Sequence, residues 1–598
     1  MLKRAGNIHC IVIFSVLFFL LLITPILLAG TNKEVVSTTN VEAIGGERCE
    51  DNNNTNDAKD YTSTSETLTS PNGASPLSKA LNYLRSTQSI DGKISDFGTS
   101  CWAVMAIAAT GEDPHDWKQP GGKSIVEYLI ENRGQLNLNL PTDVAKFVLA
   151  MTAAREDPRN ISGINYIEVL KGFFDKSQIG NPSQLNDDVW SVMALISAGE
   201  NASSKIIQSS LSYIKANQNA DGGWSWAIGG VSDVDDTAAA LMALSCAGED
   251  PGSNIIVKAL QYLKGQQQSN GGFPCWGVIN SASDSWAIGA ICSVGQEPEN
   301  WKVNNISVLD HLLSLQNSDG SFNWTATDPS NKALMTSYAI VALCKRQYPT
   351  NGQYIYTRIE GKQATIWRRK VFVAASIIID DNGQVHYIPK PTVLGALDKA
   401  AEIGGFIYKV RQTSLGLYVY SIAGEEAAGL AGWMYRVDYY MPYVGMADFE
   451  WNITSPPNPP HRELLIYYGE WTYMPLKVWV DKTEVHVGEN ITVLVKCYND
   501  TSNCWQPVEG ATVHFFYRTY TTNATGYVVI TVRYDPLLWA EKAGYIRSDV
   551  IEVKVITDPT GSTTTSSNQQ NDADSTFSSK PSWRRSFLLE SQTYEVLR

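Results

Sequence analysis

Three aspartates fall within four residues, Asp233, Asp235 and Asp236, in the run Asp233-Val234-Asp235-Asp236-Thr237-Ala238. Carboxyl groups this close cannot all ionise cheaply, and like-charge crowding in an apolar setting keeps one of them neutral. A carboxyl that stays neutral near neutral pH can act as a general acid. The same run has a second meaning. Ser, Thr and Asp are the residues that cap helix N-termini. Asp236 falls in a column of such residues, Ser100, Asp143, Asp188, Asp236, Asp284 and Thr336, that recurs every 43 to 52 residues. On that alignment Asp236 is a cap and Asp233 alone is special to its unit.

Each column residue opens an apolar helix, over 99–109, 142–154, 187–198, 235–247, 283–294 and 335–345. An amphipathic segment precedes each one. Four of those segments run into Gly-bearing turns, at 88–97, 218–224, 267–273 and 316–322. A period in this range signals a repeat architecture. Helices apolar nearly all round need neighbours on every side, so six outer–inner pairs over 76–346 are expected to close into an all-α (α/α)6 toroid. Trp102, Trp190, Trp286 and Tyr338 follow the column by one or two residues, and Trp224, Trp226, Trp276 and Trp324 lie in the turns. All are expected near the mouth where the inner helices begin. They serve there as barrel core, or as the wall of a pocket for a bulky, partly apolar ligand.

The chain has 598 residues, 43% of them hydrophobic, and a net charge of −14 with no basic patch. That length implies several domains, and the charge excludes nucleic acid as a partner. Residues 1–30 carry Lys3 and Arg4 and then an uncharged apolar run from position 10 to 29, which predicts a signal peptide or an N-terminal anchor. Any membrane association runs through that segment, and the chain is expected outside the cell or on its surface. Residues 31–75 read as a disordered tether. Asn-x-Ser/Thr sequons begin at Asn53, Asn160, Asn201, Asn305, Asn323, Asn452, Asn490, Asn499 and Asn523, as in a glycosylated surface protein. Of nine cysteines, Cys497 and Cys504 flank a turn and are expected to pair. Cys49, Cys101 and Cys275 supply one further bridge at most, and Cys246, Cys292 and Cys344 read as small buried hydrophobes.

After a linker at 347–368 the pattern turns to strands. Residues 369–472 read as a small α+β domain, with a hairpin turn at 381–383 and a helix near 392–405. Residues 475–557 alternate with period two, as in an immunoglobulin-like β-sandwich. Residues 558–598 read as a disordered tail.

Family resemblances attach to these motifs. The toroid segment, with turns such as Gln218-Asn219-Ala220-Asp221-Gly222-Gly223-Trp224, is similar to prenyltransferase/squalene-oxidase repeats. Asp233-Val234-Asp235-Asp236-Thr237-Ala238 resembles the acidic motif of class II terpene cyclases, which implies Asp235 as the acid that protonates an alkene, with Asp233 and Asp236 beside it. Cyclases of that kind place the site between two helical domains, whereas this chain has one toroid. A protein prenyltransferase zinc site is not expected, since only His115 and His311 of seven histidines lie in the toroid.

The stretches TVLGALDKAA, GLYVYSI, GWMYRVDYYMPYVG and LLIYYGEW resemble a transcobalamin-like C-terminal domain. Toroid followed by such a domain is the layout of cobalamin carriers. The resemblance therefore implies an exported or surface-anchored binding protein. It would capture a corrinoid between the toroid mouth and the edge carrying Trp433, Tyr435 and Tyr468, without His coordination to cobalt. Trp102, Trp190, Trp224, Asp236, Trp286 and Tyr338 would complete the ligand set. No metal is expected and no cofactor is required, a bound corrinoid apart. Two alternatives stand beside this reading. One is a cyclase-like enzyme using Asp235 on an isoprenoid. The other is a surface scaffold that binds other cell-surface proteins and no small ligand.

Overall fold

The computed structural model describes residues 74–451, 463–533 and 537–556. The N-terminal apolar run, residues 31–73 of the segment read as a tether, Cys49 and residues 557–598 lie outside the described residues. Among the described residues no helix is long and apolar enough to cross a membrane.

Twelve helices alternate around a ring. The outer ones are α1 (Pro76–Thr87), α3 (Ile125–Glu131), α5 (Tyr166–Lys171), α7 (Lys205–Ala216), α9 (Asn254–Gln266) and α11 (Val308–Ser314). The inner ones are α2 (Phe97–Ala109), α4 (Pro141–Ala153), α6 (Leu185–Ser197), α8 (Val234–Cys246), α10 (Ser281–Ser293) and α12 (Lys332–Leu343). Inner helices are buried along almost their whole length, whereas α7 buries only Ile207, Ser210, Leu211 and Ile214. That contrast is the two-layer pattern the periodicity predicts. Each inner helix packs on the next and α12 returns to α2, so the ring closes.

The turns between outer and inner helices lock the ring. Gln88, Gln218, Gln267 and Gln316 each donate from Nε2 to a carbonyl of their own turn and to one at the next outer unit. For Gln218 these are Gly222 and Ile255, both at 2.9 Å. Gln316 bonds Gly320 and reaches Pro76 at the start of α1, which joins the last repeat to the first. Gly222 has φ +93°, and a Cβ there would lie 2.5 Å from the Lys258 carbonyl oxygen. Only glycine allows that approach.

A sheet-rich region follows. Strands Gly432–Val437, Glu463–Gly469, Gln353–Glu360 and Thr365–Val373 form one sheet in that order, with helix α13 (Val393–Gly404) against it. Residues 347–368 are therefore not a linker. They hold a central strand and the start of its neighbour. The strand hid because its inward residues include Arg358 and Glu360, buried together in an ion cluster with Glu463 and Arg547. Beyond it lie a five-stranded sheet (including Met474–Val480 and Asn490–Asn499) and a four-stranded sheet (including Thr512–Phe515 and Leu537–Glu541). Val493, Val495, Val513, Ile530 and Leu538 are buried in the core that the two share.

The expected Cys497–Cys504 bridge is absent: both thiols are free. The ladder pairs Cys497 with Gln506 and places Cys504 opposite Asn499, two residues out of register.

The sheet-rich region sits on the end of the toroid where the inner helices finish. Asn351 donates from Nδ2 to the Ser197 carbonyl at 2.9 Å, Arg155 pairs with Glu450 at 2.6 Å, and Ser203 reaches the Glu402 carbonyl. This end is the floor of the barrel, and the acidic run lies at the opposite end.

Candidate functional site

The cap of α8 is Asp233. Its carboxylate accepts the Asp236 N–H at 2.9 Å, as Asp96 accepts Thr99 N–H on α2 and Asn280 accepts Ser283 N–H on α10. The repeat column lies four residues further on. Ser100, Asp188, Thr237, Asp284 and Thr336 each accept the backbone N–H of a turn residue, Ile94, Ile179, Trp224, Phe273 and Phe322 respectively, at 2.7 to 3.0 Å. The expected column therefore slips by one residue on α8. Thr237 holds the structural place, and Asp233 is the ordinary cap. Asp235 is left with no repeat duty. Asp236 has its repeat counterpart in Asp187, which α6 places in the same position. The doubled acids allowed two alignments. Met105, Met193 and Met242, each five residues after Ser100, Asp188 and Thr237, are the signal that selects the right one.

The true register also places the aromatics. Trp102, Trp190 and Trp286 are the sixth residues of α2, α6 and α10. They sit buried midway along the inner helices rather than at the mouth. Trp102 meets Trp190 at 5.5 Å and Trp286 at 5.7 Å between centroids, and Tyr338 joins at 5.2 Å from Trp102. The equivalent places on α4 and α8 hold Lys146 and Ala239. Lys146 pairs with Asp143 at 3.3 Å. Ala239 leaves the aromatic ring incomplete. It lies one helical turn below Asp235 and so on the same face.

Asp235 and Asp236 keep part of their surface open while protein surrounds them on most sides. Burial pushes the Asp235 carboxyl up to about 7, with the charges of Asp233 and Asp284 adding to it and neighbouring Ser283 and Cys275 opposing it. Its Oδ1 is buried with no hydrogen-bond partner. Asp233 and Asp236 are both raised as well, again chiefly by burial. Burial, with the Asp235 charge adding to it, raises the Tyr338 hydroxyl.

His311 has a partner that only the fold reveals: its Nδ1 lies 2.6 Å from Oδ2 of Asp284, whose other oxygen accepts the Phe273 N–H. Asp284 is fully buried. The i to i+27 separation across two helices carries no sequence signal. Among the described residues no group of three or more His, Cys, Asp or Glu could hold a metal ion.

The remaining candidates lie in a turn and in the sheet-rich region. Trp224 is fully buried and donates from Nε1 to the Ile214 carbonyl, which pins its turn. Trp433 and Tyr435 are buried in the core of the first sheet-rich unit, where Trp433 Nε1 bonds the Glu425 carbonyl. Tyr468 packs on Trp433 at 5.5 Å.

A neutral carboxyl above a cluster of aromatic rings can deliver a proton to an apolar substrate. The rings beneath can then stabilise the cation that forms, since aromatic faces attract positive charge.

Residues 191–276, which include all three aspartates, match the family model of the squalene-hopene cyclase N-terminal domain. No curated protein sequence resembles the chain closely enough to count as a match. Among solved structures, type II terpene cyclase MstE from Scytonema is 11% identical with a TM-score of 0.34, over 45% of this chain and 97% of that one. The ent-copalyl diphosphate synthase from Streptomyces platensis is 14% identical with a TM-score of 0.30, over 42% of this chain and 50% of that one. Candida albicans protein geranylgeranyltransferase-I, complexed with GGPP, is 11% identical with a TM-score of 0.27, over 44% and 82%. Likenesses at that level carry no function across.

The corrinoid reading is overturned. The matched family is a cyclase domain centred on the acidic run. The clamp it required is also not formed, because the sheet-rich region covers the floor and buries Trp433 and Tyr435 within itself.

Proposed function

We propose that the toroid is a cyclase-like enzyme of the class II terpene type, acting on an isoprenoid. The O–H bond of Asp235 breaks and its proton forms a C–H bond with a terminal alkene of the substrate. The cation appears on the more substituted carbon, internal alkenes close onto it, and the final cation gives up a proton to water. Solvent returns that proton to the Asp235 carboxylate. The reaction needs no cofactor. The observation that carries this reading is Asp235 itself, raised to about 7 on the lumen face with no repeat role to account for it.

The test is incubation of the purified chain with farnesol, geranylgeraniol and squalene, with products read by gas chromatography and mass spectrometry. Cyclic products that fall by about 100-fold or more in Asp235→Asn support the reading, in line with the usual contribution of a general acid. Unchanged isoprenoid profiles would sink it.

One observation favours the scaffold reading: the lumen rings pack on one another, as a core would. On that reading Trp190→Ala and Trp286→Ala leave binding of a surface partner intact.

The transcobalamin-like and immunoglobulin-like readings of the sheet-rich region rest on motif order and strand alternation. Export rests on the N-terminal pattern and on the sequons, of which Asn160, Asn201, Asn305, Asn490 and Asn523 are exposed. Detection of glycan at Asn160 in protein from its own cells tests it.

A further inference from the structure

The five-stranded sheet turns one face to the core it shares with the four-stranded sheet and the other face outward. Side chains alternate along a strand. On Asn490–Asn499 the buried set is Ile491, Val493, Val495 and Cys497, so Asn490, Thr492, Leu494, Lys496 and Tyr498 share the outward face. The ladders extend that face sideways. Thr531, Val529 and Tyr527 stand opposite Asn490, Thr492 and Leu494, and Trp479 stands opposite Leu494 on the other side. Val529 is 57% exposed and Tyr527 39%. Single exposed apolar residues need no explanation, but a continuous patch across three strands calls for a cover.

The far end of the patch is closed. Lys477 and Lys496 lie 5.3 and 5.6 Å from the Trp479 ring, and beyond them Tyr439 of the first sheet-rich unit packs on Trp505 at 4.6 Å. The near end carries Asn490, exposed and first in the sequon Asn490-Ile491-Thr492. Thr531 Oγ1 donates to Asn490 Oδ1 at 2.7 Å, which fixes the amide and leaves Nδ2 without a partner among the described residues. Asn499 opens the sequon at the other end of the same strand, and its Nδ2 is tied to Gln506 Oε1 at 3.0 Å.

We propose that Asn490 is a glycosylation site whose glycan lies along this face and covers Val529, Tyr527, Leu494 and Trp479. This rests on the export reading. A bond forms between Asn490 Nδ2 and the anomeric carbon of a lipid-phosphate-linked oligosaccharide. The sugar–phosphate C–O bond breaks, and the departing phosphate takes up the proton that Nδ2 loses. Asn490 and Leu494 are about 13 Å apart along the strand, a length that a core of a few sugars spans. Sugar C–H edges pack on the apolar and aromatic side chains, and the hydroxyls above them present a wet surface.

The experiment takes the full chain from its own cells as wild type, Asn490→Gln, Thr492→Val and Asn160→Gln. Glycopeptide mass spectrometry reads occupancy, hydroxyl-radical footprinting reads the exposure of Tyr527 and Trp479, and circular dichroism checks folding. Wild type should carry glycan at Asn490. Labelling of Tyr527 and Trp479 should rise about twofold or more in Asn490→Gln and in Thr492→Val, which keeps the asparagine but removes the acceptor hydroxyl. Asn160→Gln, on the toroid, should leave that labelling unchanged. If a variant does not fold, glycosidase-treated wild type repeats the comparison without a substitution. Glycan at other sequons but none at Asn490 overturns the proposal, as does equal labelling with and without the glycan, and both leave the export reading standing. A chain with no glycan at any sequon removes both.

Discussion

Asp235 and Asp188 are both pushed up to about 7 by burial, yet they do different things. Asp188 holds a turn by accepting the Ile179 N–H through one oxygen, while its other oxygen is buried without a partner. A carboxyl whose folded pKa exceeds its usual 3.8 binds its proton more tightly in the fold than out of it. Its contribution to stability is complete below about pH 4 and is lost as pH rises toward 7. The thermal midpoint should accordingly fall between pH 5 and pH 8. Asp188→Asn should flatten that slope and stabilise the fold at pH 8, with an upper bound on the order of 4 kcal/mol, while leaving catalysis intact. Asp235 obeys the same linkage and adds a kinetic one. Only its protonated form donates, so cyclisation should decline as pH rises through about 7, and a rate profile that rises there instead would exclude it as the acid.

Elements were legible where burial followed periodicity. Six apolar helices, the amphipathic helices before them and the Gly-bearing turns all stand in the sequence, because each burial pattern reduces to a period. What escaped has identifiable causes. The column slipped by one on α8 because Asp235 and Asp236 mimic the doubled acid of α6. The strand Gln353–Glu360 was missed because charge compensation hid its buried face. Tyr348 packs on Trp102 and Trp286 from beyond the last repeat and could not be found at all, since no repeat predicts a residue arriving from outside the ring. The Gln turns give the sharpest test at this scale. Gln218→Ala leaves the Gly222 and Ile255 carbonyls without their shared donor and should cost about 2 kcal/mol, read as a lower denaturation midpoint. Asn219→Ala removes bonds only within its own repeat, to the Gly230 carbonyl and Ser232, and should cost less.

Across the whole molecule, helical ring and sheets are joined through the floor. Asn351→Ala breaks the bond to the Ser197 carbonyl without touching the lumen rings and should lower the unfolding midpoint by about 1 kcal/mol. The free thiols of Cys497 and Cys504 imply that Cys504→Ser is close to neutral for stability under oxidising conditions, because no bridge exists to lose. The covered floor has a last consequence. A vessel stoppered at one end has a single doorway, so whatever goes in must come back out past the same rim. A flexible chain can thread that doorway tail first, but the rigid rings made from it are wider than the thread. Departure, rather than bond making, would then set the pace, and the first turnover would outrun all those that follow it.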